Sequence, residues 1–194
     1  MERTKNLNPE QLSFYHQLKS VLQNIDDAFL SDLDRSVAVG DMVSDRWERA
    51  KKLGFGLNSS IYDSSLVIGK VSVGANCWVG PYTILDGSGG LSIGDFTTIS
   101  AGVHIYSHDN ILATLSSGMV PIKRESVTIG HNSYIAPNVV ITKGISIGNF
   151  VVISAGSLVN RSVADYTVVG GTPAKPIGQV IREGDEFKLI MNKG

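Results

Sequence analysis

Disulfides, a basic surface and membrane-spanning runs are all missing from this sequence. One cysteine, Cys77, stands among 194 residues. No disulfide can form within the chain, which suits a reducing compartment. There is no basic excess: 17 Lys and Arg oppose 18 Asp and Glu, for a formal net charge of −1. With no cationic run or stripe, nucleic acid is not expected as the main partner. No apolar run is long enough to span a bilayer. The opening Met1-Glu2-Arg3-Thr4-Lys5-Asn6 is polar and leads into no apolar core of a signal peptide. These absences predict a cytoplasmic protein, and the length is enough for one well-cored domain.

What the chain has in quantity is a six-residue beat. Aliphatic residues recur at Ile61, Val67, Val73, Val79 and Leu85, then at Ile93, Ile99 and Ile105, then from Ile129 through Ile135, Ile141, Ile147 and Ile153 to Val159. Four places after most of them comes a small or β-branched residue: Ser65, Val71, Cys77, Thr83, Thr97, Val103, Ser133, Val139, Val151, Ser157. A fixed period of this kind marks a parallel β-helix. Each hexad reads as a short strand plus a turn, with the aliphatic and the small residue pointing inward. The glycines that follow many aliphatics, as at Gly74, Gly94, Gly130 and Gly148, read as residues that accept tight-turn backbone angles. No hexad can bury its own apolar side, so coils must stack, three hexads to a turn of a triangular prism.

The beat breaks twice. Between Leu85 and Ile93 the excess is Gly87-Ser88-Gly89-Gly90; between Ile105 and Ile129 it is a loop over roughly residues 107–126. Counting hexads in threes puts Leu85 and Ile105 on the same face of adjacent coils, so both breaks leave the prism at one corner. Two departures from a strict repeat at one place mark a functional site. The glycine-rich break reads either as the floor of a pocket or as a simple corner.

The flanks differ from the middle. Residues 1–60 form a helical, capping segment: Leu18, Val21, Leu22, Ile25 and Phe29 follow helical spacing, Ser13 is a candidate cap, and residues 45–53 form a second short helix stopped at Gly54. Such a block suits the open end of a β-helix, where strand edges and core would otherwise be exposed. Residues 61–170 form the β-helix. Residues 171–194 form a C-terminal segment in which 181–191 read as a short amphipathic helix.

Three stretches carry a family resemblance. They are Ile99-Ser100-Ala101-Gly102-Val103-His104-Ile105-Tyr106-Ser107-His108-Asp109, then Val127-Thr128-Ile129-Gly130-His131-Asn132-Ser133-Tyr134-Ile135-Ala136-Pro137, and Ile153-Ser154-Ala155-Gly156-Ser157-Leu158-Val159-Asn160-Arg161 followed by Gly171-Thr172-Pro173-Ala174-Lys175. In this order, with a long loop after the histidine, they resemble hexapeptide-repeat acetyltransferases of the galactoside, maltose and Nod-factor type. Residues 49–56 and 84–91 look more like the branch associated with bacterial surface polysaccharide. The resemblance covers about residues 60–178. It implies an all-β solenoid, a left-handed parallel β-helix with an N-terminal helical cap and a short C-terminal helix. It also implies a homotrimer, acetyl-CoA as acyl donor, and a sugar, nucleotide-sugar or polysaccharide precursor as acceptor.

By that resemblance His108 is the catalytic base, a role suited to an imidazole whose ordinary pKa of about 6.5 lies near working pH. A base needs a group to orient it, and Asp109 and Asp86 are the candidates; Asp86 is favoured by the stacking of Leu85 under Ile105. The family binds coenzyme A in the groove between two prisms. The matching positions are Ala136 and Ala155, small enough for close approach, with Asn160, Arg161 and Lys175 at the phosphates. No metal ligand set is assigned. Three other readings stay open: N-acetylation of an amino sugar, a zinc enzyme of the β-helix carbonic-anhydrase kind using His104, His108 and His131, and a non-catalytic assembly module.

Overall fold

Stacking of hexads decides the architecture. The computed structural model describes residues 3–192. Its main body is a left-handed parallel β-helix of about six turns. The inward aliphatics fall into three columns. The first face carries Ile61, Val79, Ile99, Ile135, Ile153 and Val169 in parallel register. The second carries Val67, Leu85, Ile105, Ile141 and Val159. The third carries Val73, Ile93, Ile129, Ile147 and Val163. Ile61, Leu85, Ile99, Ile105, Ile135, Ile141 and Ile153 are fully buried, and burying each such side chain contributes about 1.5–3 kcal/mol. The small inward residues are buried as well: Cys77, Thr83, Thr97, Val103, Ser133, Val139, Val151 and Ser157 all lie at 2% exposure or less. Burial pushes the Cys77 thiol up from its ordinary value.

The glycines after the aliphatics are there for a different reason from the one the sequence suggests. Gly74, Gly94, Gly130 and Gly148 are not among the left-handed residues; those fall two places later, at Asn76, Phe96, Asn132 and Phe150. What excludes a side chain is the next coil. A Cβ on Gly94 would lie 2.7 Å from the backbone nitrogen of His131, and one on Gly148 would lie 2.6 Å from that of Asp165.

The first break is also built differently. The excess between Leu85 and Ile93 is a bulge within the sheet: Gly87 faces Gly69 and Leu91 faces Val71, which leaves Ser88, Gly89 and Gly90 opposite Lys70. These residues continue a ten-residue strand, Ile84–Ile93, that pairs in parallel with Leu66–Val73 of the coil above, with a register shift between Gly69 and Val71. The second break is a true excursion. It holds the helix α4, Ile111–Leu115, and closes on itself through an antiparallel pair, His108↔Arg124 and Asp109↔Lys123.

Contacts divide the chain into two units, residues 1–45 and 46–194. In the first, helix α1 spans Pro9–Leu33 and helix α2 spans Val39–Val43. Asn8, rather than Ser13, caps α1: its side chain accepts from the Gln11 amide at 2.9 Å while the Gln11 side chain takes the Asn8 amide at 3.1 Å. In the second, helix α3, Arg46–Lys52, closes the first coil. Ala50 and Phe55 join the buried core. The Arg49 guanidinium donates to the carbonyls of Tyr62 and Ser65, which ties the helix to the first coil.

The short C-terminal helix expected over 181–191 is absent. Strand Ala174–Glu183 folds back on Thr167–Gly171, and Glu186–Met191 folds back on it in turn. Gly184, with φ +63°, turns the hairpin. The apolar residues there, Phe187, Leu189 and Met191, also fit a two-residue period. A free sheet edge at the last coil offers ladder hydrogen bonds that decide between the two patterns. Among the described residues, no helix is long and apolar enough to cross a membrane.

Candidate active site

Two side chains meet where the second face gives way to the third. Asp86 follows Leu85, and His108 follows Ile105 by three residues. Because Leu85 and Ile105 stack in register, Asp86 lies on the coil directly before that of His108. The His108 ring nitrogen Nδ1 is 2.5 Å from Asp86 Oδ2. The Asp86 side chain is 1% exposed and that of His108 is 36% exposed, so a buried carboxylate holds a ring that reaches solvent.

The carboxylate is held in turn. The Ser107 amide donates to Oδ2 at 2.9 Å. The amide and hydroxyl of Ser88 donate to Oδ1 at 2.9 and 2.5 Å. Burial works against the charged form, but these donors, Ser88 foremost, and the His108 ring outweigh it and hold the carboxyl down at about 2. An ionised Asp86 only accepts, so Nδ1 carries a proton, and it is the tautomer with its lone pair on Nε2 that the neutral ring adopts. The ring is thus held from its Nδ1 side and reaches solvent on the other, an arrangement that can serve proton transfer.

Gly89 has a packing role. Its amide donates to the Ser107 hydroxyl at 2.7 Å, and a Cβ there would sit 2.4 Å from the Ser107 carbonyl oxygen. Gly89 is therefore a close approach between coils that carries the Asp86 network, whereas Gly90 lines an open cavity of about 560 Å³ with Lys70, Ser92, Ser126 and Thr128. Asp109 does not orient the ring: Lys143 holds its carboxylate at 2.6 Å and lowers its pKa.

Of the residues assigned to the acyl donor, two come together. Arg161 and Lys175 line one cavity of about 340 Å³ with Ser162, Thr167 and Pro176. Arg161 follows Val159, so it lies on the same corner as His108, two coils on; at the usual strand spacing that is about 10 Å. Neither cation has an ion pair among the described residues, and the exposed Asn160 precedes Arg161. Ala136 and Ala155 lie elsewhere, on the corner that follows the first face. Ala136 is 7% exposed, with its amide bonded to the Ile153 carbonyl, and Ala155 is exposed. One chain therefore does not bring these alanines to the His108 corner.

The three histidines of the zinc reading each have a different partner. His104 sits edge-on to Tyr106, His108 binds Asp86, and His131 meets Asn132 and the Phe150 ring. Among the described residues no three His, Cys, Asp or Glu side chains gather as a ligand set within the chain. Ser88, Ser107 and Lys143 were not picked out from the sequence. The signal for them was register alone: Ser107 and Lys143 each follow a second-face aliphatic by two places.

Comparison with known proteins agrees with this architecture. Residues 126–161 match the family profile described as bacterial transferase hexapeptide (six repeats), and residues 70–107 match the hexapeptide repeat of succinyl-transferase. Galactoside O-acetyltransferase of Escherichia coli (strain K12) is 29% identical over 56% of this chain and 64% of its own length. The chain spans less than two thirds of the curated relatives it matches. AntD, an N-acyltransferase from Bacillus cereus solved with dTDP and 3-hydroxybutyryl-CoA, is 27% identical, covers 63% of this chain and 70% of its own, and superposes with a TM-score of 0.56. A hexapeptide-repeat acetyltransferase of Vibrio cholerae O1 biovar eltor, complexed with acetyl coenzyme A, is 23% identical over 82% of this chain and 87% of its own, with a TM-score of 0.52; it shares the fold.

Proposed function

We propose, on the premise that this chain is a hexapeptide-repeat protein, that it transfers an acetyl group from acetyl-CoA to a hydroxyl of a sugar or polysaccharide precursor. The observation that carries this reading is the Asp86–His108 pair at the corner where the repeat is broken. His108 Nε2 takes the proton of the acceptor hydroxyl as its oxygen attacks the thioester carbonyl. The imidazolium that forms is stabilised by the ionised Asp86. As the tetrahedral intermediate collapses, the C–S bond breaks and the imidazolium returns the proton to the leaving thiolate. Arg161 and Lys175 offer charged donors suited to the donor's phosphates. Ala136 and Ala155 reach that donor only from a neighbouring copy, which accords with a homotrimer whose sites lie in the grooves between prisms. A cytoplasmic location is part of this reading.

Support for a sugar acceptor comes from the galactoside enzyme, and support for a nucleotide-linked one from the dTDP bound to AntD. AntD also favours a second reading, N-acylation of an amino sugar, since that relative is an N-acyltransferase. The test is to mix the protein with acetyl-CoA and a panel of nucleotide-activated sugars and amino sugars, and to follow free thiol and acylated product. The proposal expects an O-acetylated product, lost by two to four orders of magnitude (about 3–5 kcal/mol of barrier) in His108→Ala. Turnover only with amino sugars selects the second reading. A His108→Ala variant that keeps more than a tenth of parental turnover removes His108 as the base.

A further inference from the structure

The loop that carries His108 leaves the prism through a neck two residues wide. His108 and Asp109 form its outgoing arm, Lys123 and Arg124 its returning arm. A two-residue antiparallel ladder is too short to hold itself, and the loop it closes carries its own ordering cost. Something outside must fix it. From the N-terminal side the neck is held by the coil of Asp86, through Ser107 and Gly89. From the other side it is held by the next coil, chiefly through the side chain of Lys143. The Lys143 ammonium lies 2.6 Å from Asp109 Oδ2 on the outgoing arm and 3.4 Å from Glu125 Oε2 on the returning arm. Its side chain is only 18% exposed.

We infer that Lys143 is a positioning residue for the reaction: it clamps both arms of the neck and thereby fixes the backbone from which the His108 ring reaches Asp86. The inference rests on the reading of His108 as base. Three details fit a clamp better than a solvated surface cation. Asp109 uses its second oxygen to accept the Ile111 amide at 3.2 Å, so the same carboxylate that Lys143 holds also starts helix α4. Glu125 donates its amide to the Ser107 carbonyl at 2.9 Å, directly before the histidine. Gly144 brings the clamping coil close under Glu125: its amide reaches the Glu125 carbonyl at 3.4 Å, and a Cβ there would meet the Glu125 side chain at 3.3 Å. With both carboxylates on one ammonium, Lys143 has no charge to spare for a phosphate, unlike Arg161 and Lys175.

The clamp is tested with Lys143→Met, Lys143→Arg, Asp109→Asn and the Lys143→Met/Asp109→Asn pair. Turnover of Lys143→Met should fall about tenfold with the acetyl-CoA KM unchanged, since a small misplacement of a catalytic group costs one to two orders of magnitude. Lys143→Arg should restore most of it. The pair should be no worse than the worse single variant, because both remove one interaction. Independently of activity, amide hydrogen exchange over residues 108–125 should quicken in Lys143→Met while residues 129–159 exchange as before. Unchanged exchange over 108–125 overturns the clamp. Faster exchange with unchanged turnover overturns the positioning role, and so does a rise confined to the acetyl-CoA KM. Absence of transfer by the parent protein overturns the functional reading alone, and the exchange measurement then decides whether the neck is clamped.

Discussion

Residues 127–159 and the corner spanning residues 86–126 are built from the same hexads, yet they use polar groups in opposite ways. In the regular coils the inward polar side chains close back onto the prism. Ser133 Oγ donates to the Gly148 carbonyl at 3.1 Å, and Ser157 Oγ donates to that of Ser154 at 2.6 Å. Ser133 thereby stitches one coil to the next, and Ser157 does so by accepting the Gly171 amide at 3.1 Å. At the broken corner the polar groups bond one another instead. Ser88, Ser107 and Gly89 converge on Asp86 or its neighbours, and Asp86 holds a ring whose second nitrogen is free. Stability therefore resides mainly in the columns of aliphatics, and the proposed chemistry draws on the corner where the repeat is abandoned.

The largest effect that separates the two regions comes from the regular coils. Ile135→Ala removes a fully buried side chain and should destabilise by about 2–5 kcal/mol. Denaturant unfolding measures it. Turnover per folded molecule should stay at the parental level, and a folded Ile135→Ala protein with lost turnover would break the separation.

A smaller effect sits on the Asp86 network. Its carboxyl is depressed from an ordinary 3.8 to about 2. A group with a depressed folded-state pKa stabilises above its unfolded value and loses that contribution as pH falls through the folded value. The contribution, on the order of 2 kcal/mol, should thus be complete above pH 4 and fade toward pH 2. The unfolding free energy of the parent should drop more steeply across that window than that of Asp86→Asn. Parallel curves would mean that the carboxylate is not held as described.

The smallest effect belongs to the distant cations. Lys175→Ala should raise the acetyl-CoA KM roughly fivefold with little change in turnover, and added salt should narrow the gap, because the ammonium is exposed. A fall in turnover at saturating donor would place Lys175 in the chemistry instead.

The columns were legible from the sequence because burial on a β-helix leaves a strict period. Every aliphatic from Ile61 to Val159 that the beat picks out lies in its expected column. Asp86 was legible for the same reason, since hexad counting sets Leu85 against Ile105. Other features depend on what a neighbouring strand does, and no period records that. The glycines that follow the aliphatics owe their identity to the coil beneath them. The segment around Phe187 satisfies helical and strand spacing alike, and the free edge of the last coil decides. Asp109 looked like an orienting group because it adjoins His108, but strand alternation sends its side chain toward Lys143. Lys143 had no sequence signal beyond its place after Ile141.

The central claim is that Asp86 and His108 act as one unit at the broken corner, and a double-mutant cycle in turnover tests it most directly. Acetyl transfer is measured at saturating acetyl-CoA for the parent, His108→Ala, Asp86→Asn and the double variant. The account predicts that each single change costs at least about a hundredfold and that the double variant is about as slow as His108→Ala alone. Losses that multiply in the double variant would show two independent roles and contradict the account.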